Sequence, residues 1–129
     1  MPELSVIIPA RNEEWLNLTV ADVLSHIEAD TEIIVILDGA WPKEPLTQHE
    51  RVHIVYLPQA IGQRAATNLG AKISTATYIC KLDAHCSIGQ GFDRILIEAF
   101  TYVYTYWVCE DRRVRVSSIQ VQYSRRASV

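Results

Sequence analysis

Short apolar runs alternate along this chain with segments of helical spacing. Leu4-Ser5-Val6-Ile7-Ile8-Pro9 reads as a buried strand. Asn12 is placed to cap a following helix, with Glu13 and Glu14 in a first turn where the helix dipole favours acids. Trp15, Leu18, Val20, Val23, Leu24 and Ile27 keep a helical period to about Ile27. Glu32 to Leu37 is apolar on both faces, the mark of a parallel sheet covered by helices, and it stops at Asp38-Gly39. After a loop containing Pro42 and Pro45, Val52 to Leu57 reads as a third strand, ended by Pro58. Gly62 opens a helix from Gln63 to about Ile73, whose small residues Ala65, Ala66 and Gly70 allow close approach to a sheet. Thr77 to Leu82 is the fourth strand. A third helix begins near Phe92 and runs to about Thr101, after which Tyr102 to Val108 turns β-like in composition. Arg115 to Tyr123 reads as a last strand with partial alternation. The order β-α-β-loop-β-α-β-α-β predicts an α/β fold, a doubly wound and mostly parallel sheet with helices on both faces.

With 129 residues the chain suits one domain, and a hydrophobic content of 49% is enough to supply its core. Residues 1–111 make up the ligand-binding body, and residues 112–129 a basic strand or tail belonging to it or to an oligomer contact. No apolar run approaches the roughly 20 residues of a membrane span, and the acidic start Met1-Pro2-Glu3 does not read as a signal peptide. Cys80, Cys86 and Cys109 form no CxxC pair, an odd set that favours reduced thiols in a cytoplasm. The net charge of −3 hides an asymmetry: residues 112–129 carry five arginines and no acid, and residues 1–111 carry −8. A basic tail can meet phosphate, anionic lipid or an acidic partner. A solvated edge strand protected by its charges explains it more simply. Without interleaved aromatic and basic residues, nucleic acid is not an expected partner. Tyr102, Tyr104, Tyr106 and Trp107 are many large rings for an exposed tail, so residues 100–123 are expected to bury them in a second subunit or in the domain's own core.

The chemistry concentrates at strand ends. Asp83-Ala84-His85 follows Tyr78-Ile79-Cys80-Lys81-Leu82 directly. Period 2 lets the acid and the imidazole point the same way, and open α/β sheets bind ligands at such strand ends. A carboxylate with a neutral imidazole suits a divalent metal such as Mn²⁺, which can neutralise a diphosphate. Asp-x-His alone is also an ordinary turn. Arg11-Asn12 after the first strand and Asp38 after the second add polar groups at the same predicted edge. Cys86 beside His85 hints at zinc, but the remaining ligands are missing. His26, His49 and His53 read as structural or solvent-facing.

Four segments in this order carry a resemblance: Ser5-Val6-Ile7-Ile8-Pro9-Ala10-Arg11-Asn12-Glu13, Ile34-Val35-Ile36-Leu37-Asp38-Gly39, Gly62 to Gly70, and Tyr78 to His85. Together they resemble family 2 glycosyltransferases of the GT-A fold. The Asp83-x-His85 form is similar to the polypeptide N-acetylgalactosaminyltransferase branch. The resemblance covers about residues 4–100 and implies a metal-dependent transfer of sugar from a nucleotide-diphosphate donor, UDP-linked, to an unidentified acceptor. It implies that Pro9, Ala10 and Arg11 line the base and ribose, and that Asp38 accepts the uracil N3–H. Arg64 would face base or diphosphate, and Asp83 and His85 would hold Mn²⁺ (or Mg²⁺) against the phosphates. Each has a plainer reading: Asp38-Gly39 as a turn, Arg64 as a surface helix residue. The acceptor half and catalytic base of complete enzymes are not recognisable, and Glu110-Asp111 is the only downstream acidic pair able to serve as base. A non-catalytic nucleotide-sugar-binding or assembly module is the alternative. A nucleotidyltransferase is disfavoured, because no glycine-rich, lysine-bearing loop follows the first strand.

Overall fold

The computed structural model describes residues 2–107, with side chains for residues 2–100. Every residue of β1 (Leu4–Ala10) is buried, which places this strand inside the sheet. It pairs in parallel with β2 (Thr31–Asp38) on one side and with β4 (Tyr78–Lys81) on the other. β3 (Val52–Leu57) pairs in parallel outside β2, so the strand order is β3-β2-β1-β4. The helices are α1 (Leu16–His26), α2 (Gln63–Ile73) and α3 (Phe92–Trp107).

Alternating side chains of the central strands feed two cores. Leu4, Val6, Ile8 and Ala10 of β1, with Ile33, Val35 and Leu37 of β2, pack with Leu16, Val20 and Val23 of α1 and Phe100 of α3. Ile7, Ile34, Ile36 and Ile79 pack on the opposite face with Ala66 of α2. Burial on both faces is why β1 and β2 read as continuous apolar runs. Gly70 is where α2 comes closest to the sheet: a Cβ there would lie 2.6 Å from Ile7 Cγ2.

The chain turns back at β1. The β1–α1–β2 connection moves one way along the sheet, and β3–α2–β4 crosses back to the other side of β1. β4 pairing reaches only Ile7↔Lys81, and Leu82 N–H donates to the Ile7 carbonyl at 2.9 Å. Pro9, two residues on, faces that same side by strand alternation. Its missing N–H therefore falls where β1 and β4 have parted, which explains how a proline is tolerated in a central strand.

Several expectations are corrected. Asn12 does not cap α1. It takes the left-handed conformation (φ 55°), which asparagine tolerates, and bends the chain instead. The helix starts at Leu16 with Trp15 at the cap position, no side-chain cap and no acid in the first turn. Trp15 and Leu18 are exposed, because Leu16, Thr19, Val20 and Val23 form the buried stripe. Ala65 is exposed, and Ala66 and Gly70 alone of the three small residues meet the sheet. α3 continues through the β-like stretch to Trp107, consistent with β-propensity reflecting packing context more than backbone preference. Glu110, Asp111, Cys109, the strand expected over 115–123 and the division at residue 111 lie outside the described residues. So does the side-chain packing expected of residues 101–123.

Candidate functional site

The parting of β1 and β4 opens a cleft of about 270 Å³ at the C-terminal edge of the sheet. Pro9, Ala10 and Arg11 line it from β1 and its exit, and Asp38 from the end of β2. Asp83, Ala84 and His85 line it from the loop after β4, and Gly62 and Gln63 from the start of α2. Open parallel sheets place ligand crevices at such a switch point. Of the residues singled out from sequence, Pro9, Ala10, Arg11, Asp38, Asp83 and His85 meet here, whereas Asn12, Arg64 and Cys86 are not part of the cleft wall and the Glu110-Asp111 pair lies outside the described residues. Arg64 is exposed on the first turn of α2.

Asp38 is 4% exposed. Its Oδ1 accepts the Ile61 N–H at 2.7 Å and its Oδ2 accepts the Gly62 N–H at 3.0 Å. Gly62 has φ 95°, a conformation that favours glycine, so the acid of β2 and this glycine together fix how the chain enters α2. Each carboxylate oxygen keeps acceptor capacity beyond these bonds.

The loop after β4 is held from α1. Thr19 Oγ1 donates to the Ala84 carbonyl at 2.8 Å, between Asp83 and His85. Asp22 Oδ2 accepts the Ile88 N–H at 2.7 Å, and the Gly91 N–H donates to the His26 carbonyl at 2.9 Å. In the first turn of α3, Asp93 is fully buried. It accepts the N–H groups of Glu28 (3.0 Å), Ala29 (2.9 Å) and Arg94 (2.9 Å), and the Thr31 hydroxyl (2.7 Å). Burial works to raise this carboxyl's pKa, but the Thr31 and backbone hydrogen bonds outweigh it and hold Asp93 below the usual carboxylate value.

Asp83 is paired with the Lys81 ammonium, and His85, more than half exposed, has its Nδ1 3.8 Å from Glu13 Oε1. Glu13 lines the cleft too. Among the described residues no group of three or more His, Cys, Asp or Glu side chains gathers into a metal cage. Asp83 and His85 are the residues that would hold a divalent cation in an open two-ligand site, where oxygens of a phosphate ligand would suit a hard cation. Cys86 is not among the residues lining the cleft, and burial raises its thiol pKa. Sequence reading missed Glu13 and Lys81 as members of the site. Glu13 reads from sequence as part of a helix's first turn, and the helix begins only at Leu16. Lys81 did carry a signal, as the only charge in the fourth strand, two residues before Asp83.

Comparison with known proteins fits this geometry. Residues 5–122 match the model of Glycosyl transferase family 2. The chain is 35% identical over 103 residues to polypeptide N-acetylgalactosaminyltransferase 6 of Bos taurus, covering 71% of this chain and 17% of that protein. It is 34% identical over 122 residues to polypeptide N-acetylgalactosaminyltransferase 3 of Mus musculus, covering 86% and 19%. An uncharacterized glycosyltransferase of Haemophilus influenzae is 31% identical over 91 residues, covering 65% and 36%. The chain thus spans about a third or less of these relatives' length. The crystal structure of S. aureus TarS superposes with a TM-score of 0.61 at 16% identity, over 80% of this chain and 20% of that one, a likeness of fold. No helix among the described residues is long and apolar enough to cross a membrane. On the match over residues 5–122, the chain belongs to glycosyl transferase family 2.

Proposed function

We propose that the cleft binds a nucleotide-diphosphate sugar, UDP-linked, and that the chain transfers the sugar or forms the donor-binding half of the machinery that does. One observation carries this reading. The ends of β1, β2 and β4 bring Pro9, Ala10, Arg11, Asp38, Asp83 and His85 into one cleft where the sheet changes direction.

In this reading Pro9, Ala10 and Arg11 bound the base and ribose. Asp38 accepts the uracil N3–H with acceptor capacity left over from Ile61 and Gly62. Asp83 and His85 are the residues that would hold Mn²⁺ (or Mg²⁺). A divalent cation there supplies the charge that stabilises the departing nucleoside diphosphate. Thr19 fixes the carbonyl between the two ligands, so the loop is set before the donor arrives. Arg64, on the exposed first turn of α2 and outside the cleft wall, would have to extend its long side chain toward a bound diphosphate to take part. The acceptor and the catalytic base stay unassigned, with Glu110 and Asp111 as candidates from sequence.

The test measures UDP release from a panel of UDP-sugars with Mn²⁺. Release above the hydrolysis blank supports transfer chemistry. Selective uracil-nucleotide binding without release assigns the chain the donor-binding role alone. No binding of any uracil nucleotide would refute the donor site.

A further inference from the structure

Lys81 ends a strand whose other residues are Tyr78, Ile79 and Cys80. By strand alternation it lies on the same side as Ile79, which packs in the core with Ala66 of α2, and as Asp83 beyond it. Its ammonium is bound to Asp83 Oδ1. The pair is largely withdrawn from water, with side-chain exposures of 17% for Lys81 and 24% for Asp83. The carboxylate best placed to take a divalent cation therefore already holds a cation of the protein's own.

Resting on the donor-site reading above, we propose that Lys81 and the divalent cation exchange on Asp83. In the nucleotide-free chain the ammonium occupies the carboxylate. When a divalent cation takes Asp83, the ammonium swings to the donor diphosphate. Two cations on one carboxylate oxygen repel each other. An ammonium released into a partly buried setting without a counter-charge is costly as well. The diphosphate removes both penalties at once. Lysine suits the task, since its compact charge rides on a flexible four-carbon stem and its three donors can be re-aimed. The exchange makes metal and diphosphate binding mutually dependent, and by linkage the enhancement is the same in both directions.

The experiment titrates Mn²⁺ by electron paramagnetic resonance and UDP by calorimetry, each with and without the other ligand. The samples are the wild type, Lys81→Met and Lys81→Arg, with Lys81→Gln in parallel in case the apolar side chain unfolds the strand. Lys81→Met is expected to bind Mn²⁺ alone about tenfold more tightly than wild type and to lose most of the mutual enhancement between Mn²⁺ and UDP. Lys81→Arg, which keeps the charge, is expected to retain part of that enhancement. Unchanged nucleotide-free Mn²⁺ affinity in both uncharged variants overturns the exchange. So does a wild-type enhancement in those variants, even if both affinities shift, because that pattern is simple electrostatics. Failure of the wild type to bind UDP with or without Mn²⁺ defeats the donor-site reading itself, a result distinct from UDP binding whose coupling ignores Lys81.

Discussion

Asp38 Oδ2 accepts the Gly62 N–H at 3.0 Å, so the acid that ends β2 also sets the residue that opens α2. One buried carboxylate thereby joins two walls of the cleft, and its substitution should be felt in both binding and folding. Asp38→Ala is expected to weaken UDP binding by about 1–3 kcal/mol, the scale of a lost charge-assisted hydrogen bond. It should also lower stability, because the Ile61 and Gly62 N–H groups lose their acceptor. Calorimetry at a temperature where the variant is fully folded separates the two effects. Unchanged UDP affinity there would confine Asp38 to holding the loop.

The contact of Gly70 with Ile7 predicts a packing cost independent of any ligand. Gly70→Ala places a methyl group 2.6 Å from Ile7 Cγ2 in the present backbone, so α2 must shift or Ile7 must give way. A loss of about 1–3 kcal/mol is expected in chemical denaturation. Combining it with Ile7→Ala should cost less than the sum of the two single changes, because the smaller side chain vacates the overlap. Strict additivity would place the strain elsewhere.

Asp93 ties α3 to the α1–β2 turn, and its removal should destabilise the fold while leaving the cleft's own side chains in place. Asp93→Ala is expected to cost about 2–4 kcal/mol near neutral pH, since buried donors are left without an acceptor. The folded-state pKa of Asp93 is lowered. Its contribution is therefore present in full above the ordinary carboxylate value near 4 and is lost as pH falls through the folded value. Urea unfolding of wild type and variant across a pH series checks the sign. The stability gap should narrow on acidification below about pH 4, and a gap that widened would contradict this assignment.

Cys80 is fully buried, and its thiol pKa is pushed up to about 12, by burial first and by the Asp93 charge second. It should resist thiol reagents in the folded chain at neutral pH, where almost no thiolate is present. Timed alkylation with mass spectrometry should find Cys80 modified only under unfolding conditions. Modification of Cys80 in the native chain at the rate of a free thiol would contradict this burial.

The parallel sheet was legible in the sequence because its central strands are short, rich in Val and Ile and apolar on both faces, so Leu4 to Pro9 and Glu32 to Leu37 read as covered strands. The start of α1 was misread for a local reason. Asn12-Glu13-Glu14 has good capping chemistry, yet the chain leaves the sheet edge through a left-handed Asn12 and begins its helix at Leu16. Asp93 left no readable sign, as its partners Glu28, Ala29 and Thr31 lie more than 60 positions away. The cleft was legible as strand-end chemistry at Pro9, Asp38 and Asp83. The pairing of Lys81 with Asp83 was not, because alternation says that two side chains share a face but not that they bond.

In the proposed function, the edge shared by β1, β2 and β4 holds a nucleoside diphosphate through a cation on Asp83 and His85. Mn²⁺ titration by electron paramagnetic resonance, with and without UDP, on wild type and His85→Ala tests it most directly. His85 is a loop side chain, 58% exposed, so its removal should leave the fold intact. The expected result is weak Mn²⁺ binding without UDP, strong enhancement by UDP in the wild type, and loss of most of that enhancement in His85→Ala. Identical titrations for the two proteins would contradict the claim and leave Asp83-Ala84-His85 as an ordinary turn.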